Sequence, residues 1–185
     1  MPDARARLAE LFAKVDAFFD AASRRLPGAD GITCHAGCAD CCRRRFSVTA
    51  VEAEAIAEAL AALPAEARAT LAERARSEGE GACPALESDG RCAIYEARPV
   101  ICRTHGLAIR FRDERSLPVL DACPRNFGGR DLAGLPAAAV LDQETLSTVL
   151  GAVDAARAAE LGRPRGERVE IARILRGEEP VGEQP

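Results

Sequence analysis

Eight cysteines, Cys34, Cys38, Cys41, Cys42, Cys83, Cys92, Cys102 and Cys123, carry most of the chemistry available to this chain. The first group reads Cys34-His35-Ala36-Gly37-Cys38-Ala39-Asp40-Cys41-Cys42. Two cysteines separated by two residues can turn their sulfurs towards one point through a tight loop, a spacing used for Zn²⁺ and for iron–sulfur clusters. Gly37, beside Cys38, permits the backbone conformations such a loop requires. A single pair would mean little. Four thiols within nine residues, with four more downstream, point to metal or redox chemistry.

Cys41 and Cys42 add a constraint. In extended backbone, successive side chains point to opposite sides. Unless the loop is strongly bent, which would let both reach one ion, the two are expected to leave the chain in different directions and face different ligand sets, Cys42 reaching towards sulfurs from 83, 92 or 102. One ligating while the other is buried or bridging is the alternative. Eight thiols divide into two four-sulfur sites, or one site with spare thiols, and spacing leaves both open. His35 and His105 stand beside these cysteines, and imidazole can replace a thiolate on zinc. A hydrogen bond to a ligand, or plain solvent exposure, is the role expected for both. Arg43, Arg44, Arg45, Arg91, Arg98, Arg103 and Arg110 cluster near the cysteines. There they would offset the charge of a four-thiolate site and donate hydrogen bonds to sulfur. Tyr95 is read as core or as a hydrogen-bond anchor.

Helices must hold this region. Leu8, Leu11, Phe12, Val15, Phe18, Phe19, Ala22 and Leu26 recur at three- and four-residue steps, which predicts an amphipathic helix over 4–26 stopped by Pro27-Gly28. Thr49 and Glu52 form a capping box opening a helix that carries Val51, Ile56 and Leu60. Pro64 starts another through Ser77, and Gly79 with Gly81 releases the chain. Asp89-Gly90 marks a turn, and 92–95 reads as a short strand or tight loop. Residues 107–111 and 117–120 form a modest hairpin signal, weakened by Pro118. After a Gly-rich link over 128–136, Asp142 caps a helix over 143–161, and a short helix near 167–176 precedes a flexible tail at 177–185. The expected fold is mainly α: one domain over 1–176, with a Cys-rich irregular metal-binding core at about 34–123, a small β-hairpin, and helical cover from 4–26 and 143–176.

Composition agrees that apolar packing needs help. Leu, Ile, Val and Phe together number 40 of 185 residues, against 38 Ala, close to the level at which chains tend towards disorder. No apolar run is long enough to span a bilayer. The opening MPDARARLAELFAKVDAF is charged and periodic, unlike a secretory leader, so a reducing cytoplasm is expected, where clustered cysteines bind metal more often than they form disulfides. A net charge of −4 argues against nucleic acid.

One resemblance sharpens this reading. The CxxxCxxCC cluster is followed by Cys83-Pro84-Ala85-Leu86 and by Asp89-Gly90-Arg91-Cys92-Ala93-Ile94-Tyr95-Glu96-Ala97-Arg98-Pro99-Val100-Ile101-Cys102-Arg103, then a glycine. With Phe46–Ala53, this order resembles the cysteine-cluster zinc- or iron-chelating family, also called YkgJ-like, over about residues 34–107. The resemblance implies metal ligands at Cys34, Cys38, Cys41, Cys42, Cys83, Cys92 and Cys102, and a bacterial cytoplasmic setting. Cys123 lies past the motif block; counting sulfurs for two four-thiolate sites makes it the eighth ligand, and a buried apolar thiol is the other reading. It leaves the cofactor as zinc or an iron–sulfur cluster. The partner expected is a metal ion, with a protein partner open.

Three functions compete. The first is a metal-chelating module whose site is structural, or serves metal handling or electron transfer. The second is an iron–sulfur-dependent enzyme acting on a protein substrate. Cys34-x₃-Cys38-x₂-Cys41 has the cluster-binding spacing of radical S-adenosylmethionine enzymes, and flagellin lysine methylases carry a similar cysteine cluster. The short chain, the lack of βαβ alternation, Asp40 in place of an aromatic and the absence of a recognisable methyl-donor site point away from an enzyme acting on its own. The third, a disulfide-stapled secreted domain, is disfavoured by the adjacent cysteines and the leaderless start.

Overall fold

A computed structural model describes residues 3–28, 30–77 and 81–178. In chain order the elements are α1 (Ala4–Arg25), β1 (Ser47–Thr49), α2 (Ala50–Ala62), α3 (Ala65–Ser77), α4 (Val100–Thr104), β2 (Ala108–Arg112), β3 (Pro118–Asp121), β4 (Val140–Asp142), α5 (Gln143–Leu161), β5 (Arg168–Glu170) and α6 (Ile171–Leu175). The fold is mainly α, as the periodicity predicts, with two small sheets where one hairpin was expected. Gly79 and the tail beyond residue 178 lie outside the described residues.

The chain divides into two compact units, one drawn from Met1–Leu8, Ala36–Pro99 and Gly151–Pro185, the other from Ala9–His35 and Val100–Leu150. In the first, α2, α3 and α6 enclose Val48, Ile56, Leu60, Leu71, Val169, Ile174 and Leu175. Each large side chain removed from water contributes about 1.5–3 kcal/mol. The capping box forms through Glu52, whose Oε2 accepts from the Thr49 N–H at 3.0 Å and its hydroxyl at 2.9 Å. A second carboxylate serves the same helix start: Asp154, buried on α5, accepts the Val51 N–H at 3.1 Å.

The helix expected near 167–176 begins only at Ile171. Arg168–Glu170 is instead a strand, antiparallel to β1 with Val48 opposite Val169. Val169 is buried between exposed neighbours, the period-two pattern of a half-buried strand, and its hydrogen-bonding partner lies far back in the sequence.

In the second unit, β2 pairs antiparallel with β3 and parallel with β4, giving the order β3-β2-β4. The hairpin tolerates Pro118 because β3 is an edge strand and proline takes its first position. Beneath lie Ala22, Leu26, Leu107, Ala108, Phe127, Leu135 and Ala139. Leu11 and Val15 of α1 pack with Val100 and with Leu146 of α5. Asp142 caps α5 as its position predicts, accepting the Thr145 N–H at 3.0 Å. The link over 128–136 is not plain coil: it contains 3-10 turns at Phe127–Gly129 and Leu132–Gly134.

Candidate metal-binding cysteines

Five of the eight cysteines belong to the first unit. Cys41 and Cys42 sit on a 3-10 turn, Asp40–Cys42, closed by the Cys42 N–H donating to the Ala39 carbonyl at 2.9 Å. The backbone here is therefore bent, not extended. A tight turn need not send neighbouring side chains to opposite sides, and here the Cys41 thiol donates to that of Cys42. That contact, followed by burial and the charge of Cys42, pushes the Cys41 thiol far above its ordinary range.

The Cys42 carbonyl accepts the N–H of Cys83 at 2.7 Å, joining the two halves of the cysteine motif through backbone. From Cys83 the chain makes a small hairpin. The Glu87 N–H donates to the Arg91 carbonyl at 2.8 Å, Ala93 to Ala85 at 2.8 Å, and Leu86 bridges Cys92. Cys83 and Cys92, on the two arms, pack against the core that includes Ala85 and Ile94. Burial raises the Cys92 thiol; the Ile94 N–H counteracts this, the nearby Cys83 adds to it, and the Arg98 guanidinium offsets it. Arg74 on α3 clamps the hairpin, donating to the carbonyls of Leu86 at 2.7 Å and Pro84 at 3.3 Å. The hairpin's turn requires Gly90, with φ +83°. A Cβ there would lie 2.6 Å from the carbonyl oxygen of Gly37, so the loop before Cys38 and the turn before Cys92 meet backbone to backbone. Cys38 is partly buried.

Cys34, Cys102 and Cys123 belong to the second unit. Cys34 is exposed, Cys102 sits partly buried on α4, and Cys123 follows β3. Asn126 reaches Cys34, donating from Nδ2 to Sγ at 3.4 Å, and its own N–H donates to the Cys123 carbonyl at 2.9 Å. The Nδ1 of His35 lies 2.9 Å from the Thr33 carbonyl oxygen. Of the arginines expected near sulfur, Arg98 acts on Cys92, whereas Arg103 pairs with Asp16 and stacks on Phe12, and Arg110 pairs with Asp142 at 2.9 Å. Tyr95 is exposed rather than core, and the Arg98 guanidinium stacks over its ring at 3.9 Å.

The donor chemistry fits a thiophilic ion: paired thiols, Cys41 with Cys42 and Cys83 near Cys92, and an amide N–H aimed at Cys34 sulfur. The arrangement is one of pairs and singles. Among the described residues no three His, Cys, Asp or Glu side chains are grouped so as to hold a metal ion.

Residues 33–124 match the CxxCxxCC family, described as "Putative zinc- or iron-chelating domain". Through this stretch the chain belongs to the CxxCxxCC family. No curated protein and no solved structure matches the chain. The CxxCxxCC domain includes all eight cysteines and leaves α1 and α5 outside it. No described helix is long and apolar enough to cross a membrane. Two residues around the CxxCxxCC cysteines escape sequence reasoning. Arg74 looks like one more charge on a weakly amphipathic helix, and Asn126 lies just beyond the matched stretch. The only signal for Asn126 was its position three residues after Cys123.

Proposed function

We propose that this protein chelates zinc or an iron–sulfur cluster through cysteine thiolates, with Cys34, Cys38, Cys41, Cys42, Cys83, Cys92, Cys102 and Cys123 as the ligand set. The observation that carries the reading is the family match over 33–124, which takes in every cysteine of the chain. The backbone bond from Cys83 to Cys42 supports it, because it brings two thiol pairs from remote parts of the sequence into one unit.

A bound ion or cluster would supply a cross-link between these segments and, if iron–sulfur, an electron. The chain's own residues prepare for it. Arg74 holds the 83–92 hairpin to α3, Gly90 lets two cysteine-bearing loops touch, and Arg98 favours the thiolate at Cys92. Partly buried thiols in mutual contact disfavour ionisation until a cation arrives, so proton release accompanies metal uptake. The poor supply of large apolar residues fits a structural contribution from the metal.

The test is metal per chain in anaerobically purified protein, compared with Cys83→Ser and Cys92→Ser. Loss of zinc or iron in both variants is expected. Full metal content in both would remove the 83–92 hairpin from the ligand set.

A further inference from the structure

Asn126 has a role that the cysteine spacing does not announce. The residue is only 4% exposed, and both the oxygen and the nitrogen of its amide are hydrogen-bonded. Oδ1 accepts from the backbone N–H of Thr33 at 2.9 Å and lies 2.9 Å from the Thr33 hydroxyl, whose single proton is shared with the Arg125 carbonyl at 3.1 Å. Nδ2 donates to the Gly106 carbonyl at 2.6 Å and to Cys34 Sγ at 3.4 Å. The amide's orientation is therefore fixed. The Thr33 N–H can only donate and the Gly106 carbonyl can only accept, so a flipped amide would set donor against donor and acceptor against acceptor. One N–H must then face sulfur. The Cys34 thiol also lies 4.0 Å from Oδ1, a longer approach to an oxygen that already accepts the Thr33 N–H.

Gly106 makes room for this meeting. Its φ is +102°, and a Cβ would lie 2.6 Å from Cys34 Sγ and 3.2 Å from Asn126 Nδ2. A neutral thiol gains little from an N–H donor, whereas a thiolate, carrying charge, gains a charge-assisted hydrogen bond. Thr33, Cys34, Gly106 and Asn126 all belong to the second unit, and three separate segments supply them.

We infer that Asn126 is a positioning residue for the Cys34 thiolate, holding its sulfur by an N–H···S hydrogen bond that persists when the sulfur binds metal. The inference rests on the reading of Cys34 as a ligand. Partners of this kind change metal affinity by about 10- to 100-fold when removed.

The experiment loads the full chain with cadmium-113 as the sole added metal and records proton–cadmium correlations. Coupling from the Cys34 Hβ protons and from an Asn126 side-chain amide proton, transmitted through the N–H···S bond, is the expected result. In parallel, Asn126→Asp keeps an acceptor for Thr33 but loses both donors, and zinc affinity should fall about 10- to 100-fold. Thr33→Val removes the hydroxyl and keeps Nδ2 in place, and zinc affinity should hold. Cys34 coupling without Asn126 coupling, or equal affinity losses in the two variants, would overturn the inference while leaving Cys34 a ligand. Absence of Cys34 coupling would instead remove Cys34 from the ligand set, and the inference with it. The coupling is read on the native sequence, so it decides the matter even where Asn126→Asp does not fold.

Discussion

Gly90 and Gly37 touch through backbone: a Cβ on Gly90 would sit 2.6 Å from the Gly37 carbonyl oxygen and 3.0 Å from its Cα. Two loops that carry cysteines are therefore joined where neither has a side chain. Gly90→Ala should destabilise the first unit by more than the roughly 1 kcal/mol that a positive φ alone costs an alanine. Gly162→Ala is the control, since Gly162 has φ +65° and open space around it. Denaturant melts of the two variants check this; equal losses would mean that the contact yields without cost.

Cys41→Ser and Cys42→Ser should behave alike. Their thiols share a hydrogen bond on one 3-10 turn, so each replacement disturbs the same ligand group. Metal per chain and the spectrum of the cobalt-substituted variants should be indistinguishable. Clearly different spectra would restore the arrangement in which the two sulfurs serve separate sites.

Asp154→Ala should cost about 1–3 kcal/mol, the penalty for leaving a buried N–H without its partner, here that of Val51 at the start of α2. Thermal melts at neutral pH measure it. A cost within a few tenths of a kcal/mol would show that water replaces the carboxylate.

Asp142 gives a pH dependence. The Thr145 N–H, and then Arg110, hold its carboxyl below the ordinary range. A depressed folded value means that the stability it contributes is present above the unfolded value, near 3.9, and is lost as pH falls through the folded one. The melting-temperature gap between the native protein and Asp142→Asn should be widest at neutral pH and close below about pH 4. A gap independent of pH would assign the effect to something other than the charge.

Local signals were legible in the sequence and long-range ones were not. The three- and four-residue spacing from Leu8 to Leu26 placed α1, Asp142 marked the start of α5, and Thr49 with Glu52 opened α2, because each rests on neighbours within a turn or two. The pairing of Val48 with Val169 was invisible, since a three-residue strand has too little alternation to announce itself and its partner is remote. The backbone at Cys41 and Cys42 was open for a related reason: alternation holds for extended chain, and the Ala39–Cys42 hydrogen bond bends the loop away from that geometry. The cysteines themselves stood out by type and spacing. Asn126 did not, because an amide gains meaning only from the four groups that surround it.

The central claim is that the cysteines chelate metal, and its most direct test is elemental analysis with a visible absorption spectrum on anaerobically purified protein, repeated after chelation under reducing conditions. The expected result is stoichiometric zinc with no visible band, or iron with the brown absorption of a cluster, and a melting temperature lowered by many degrees once the metal is gone. Protein that carries neither metal, takes up neither when offered, and melts at the same temperature before and after chelation would contradict the account.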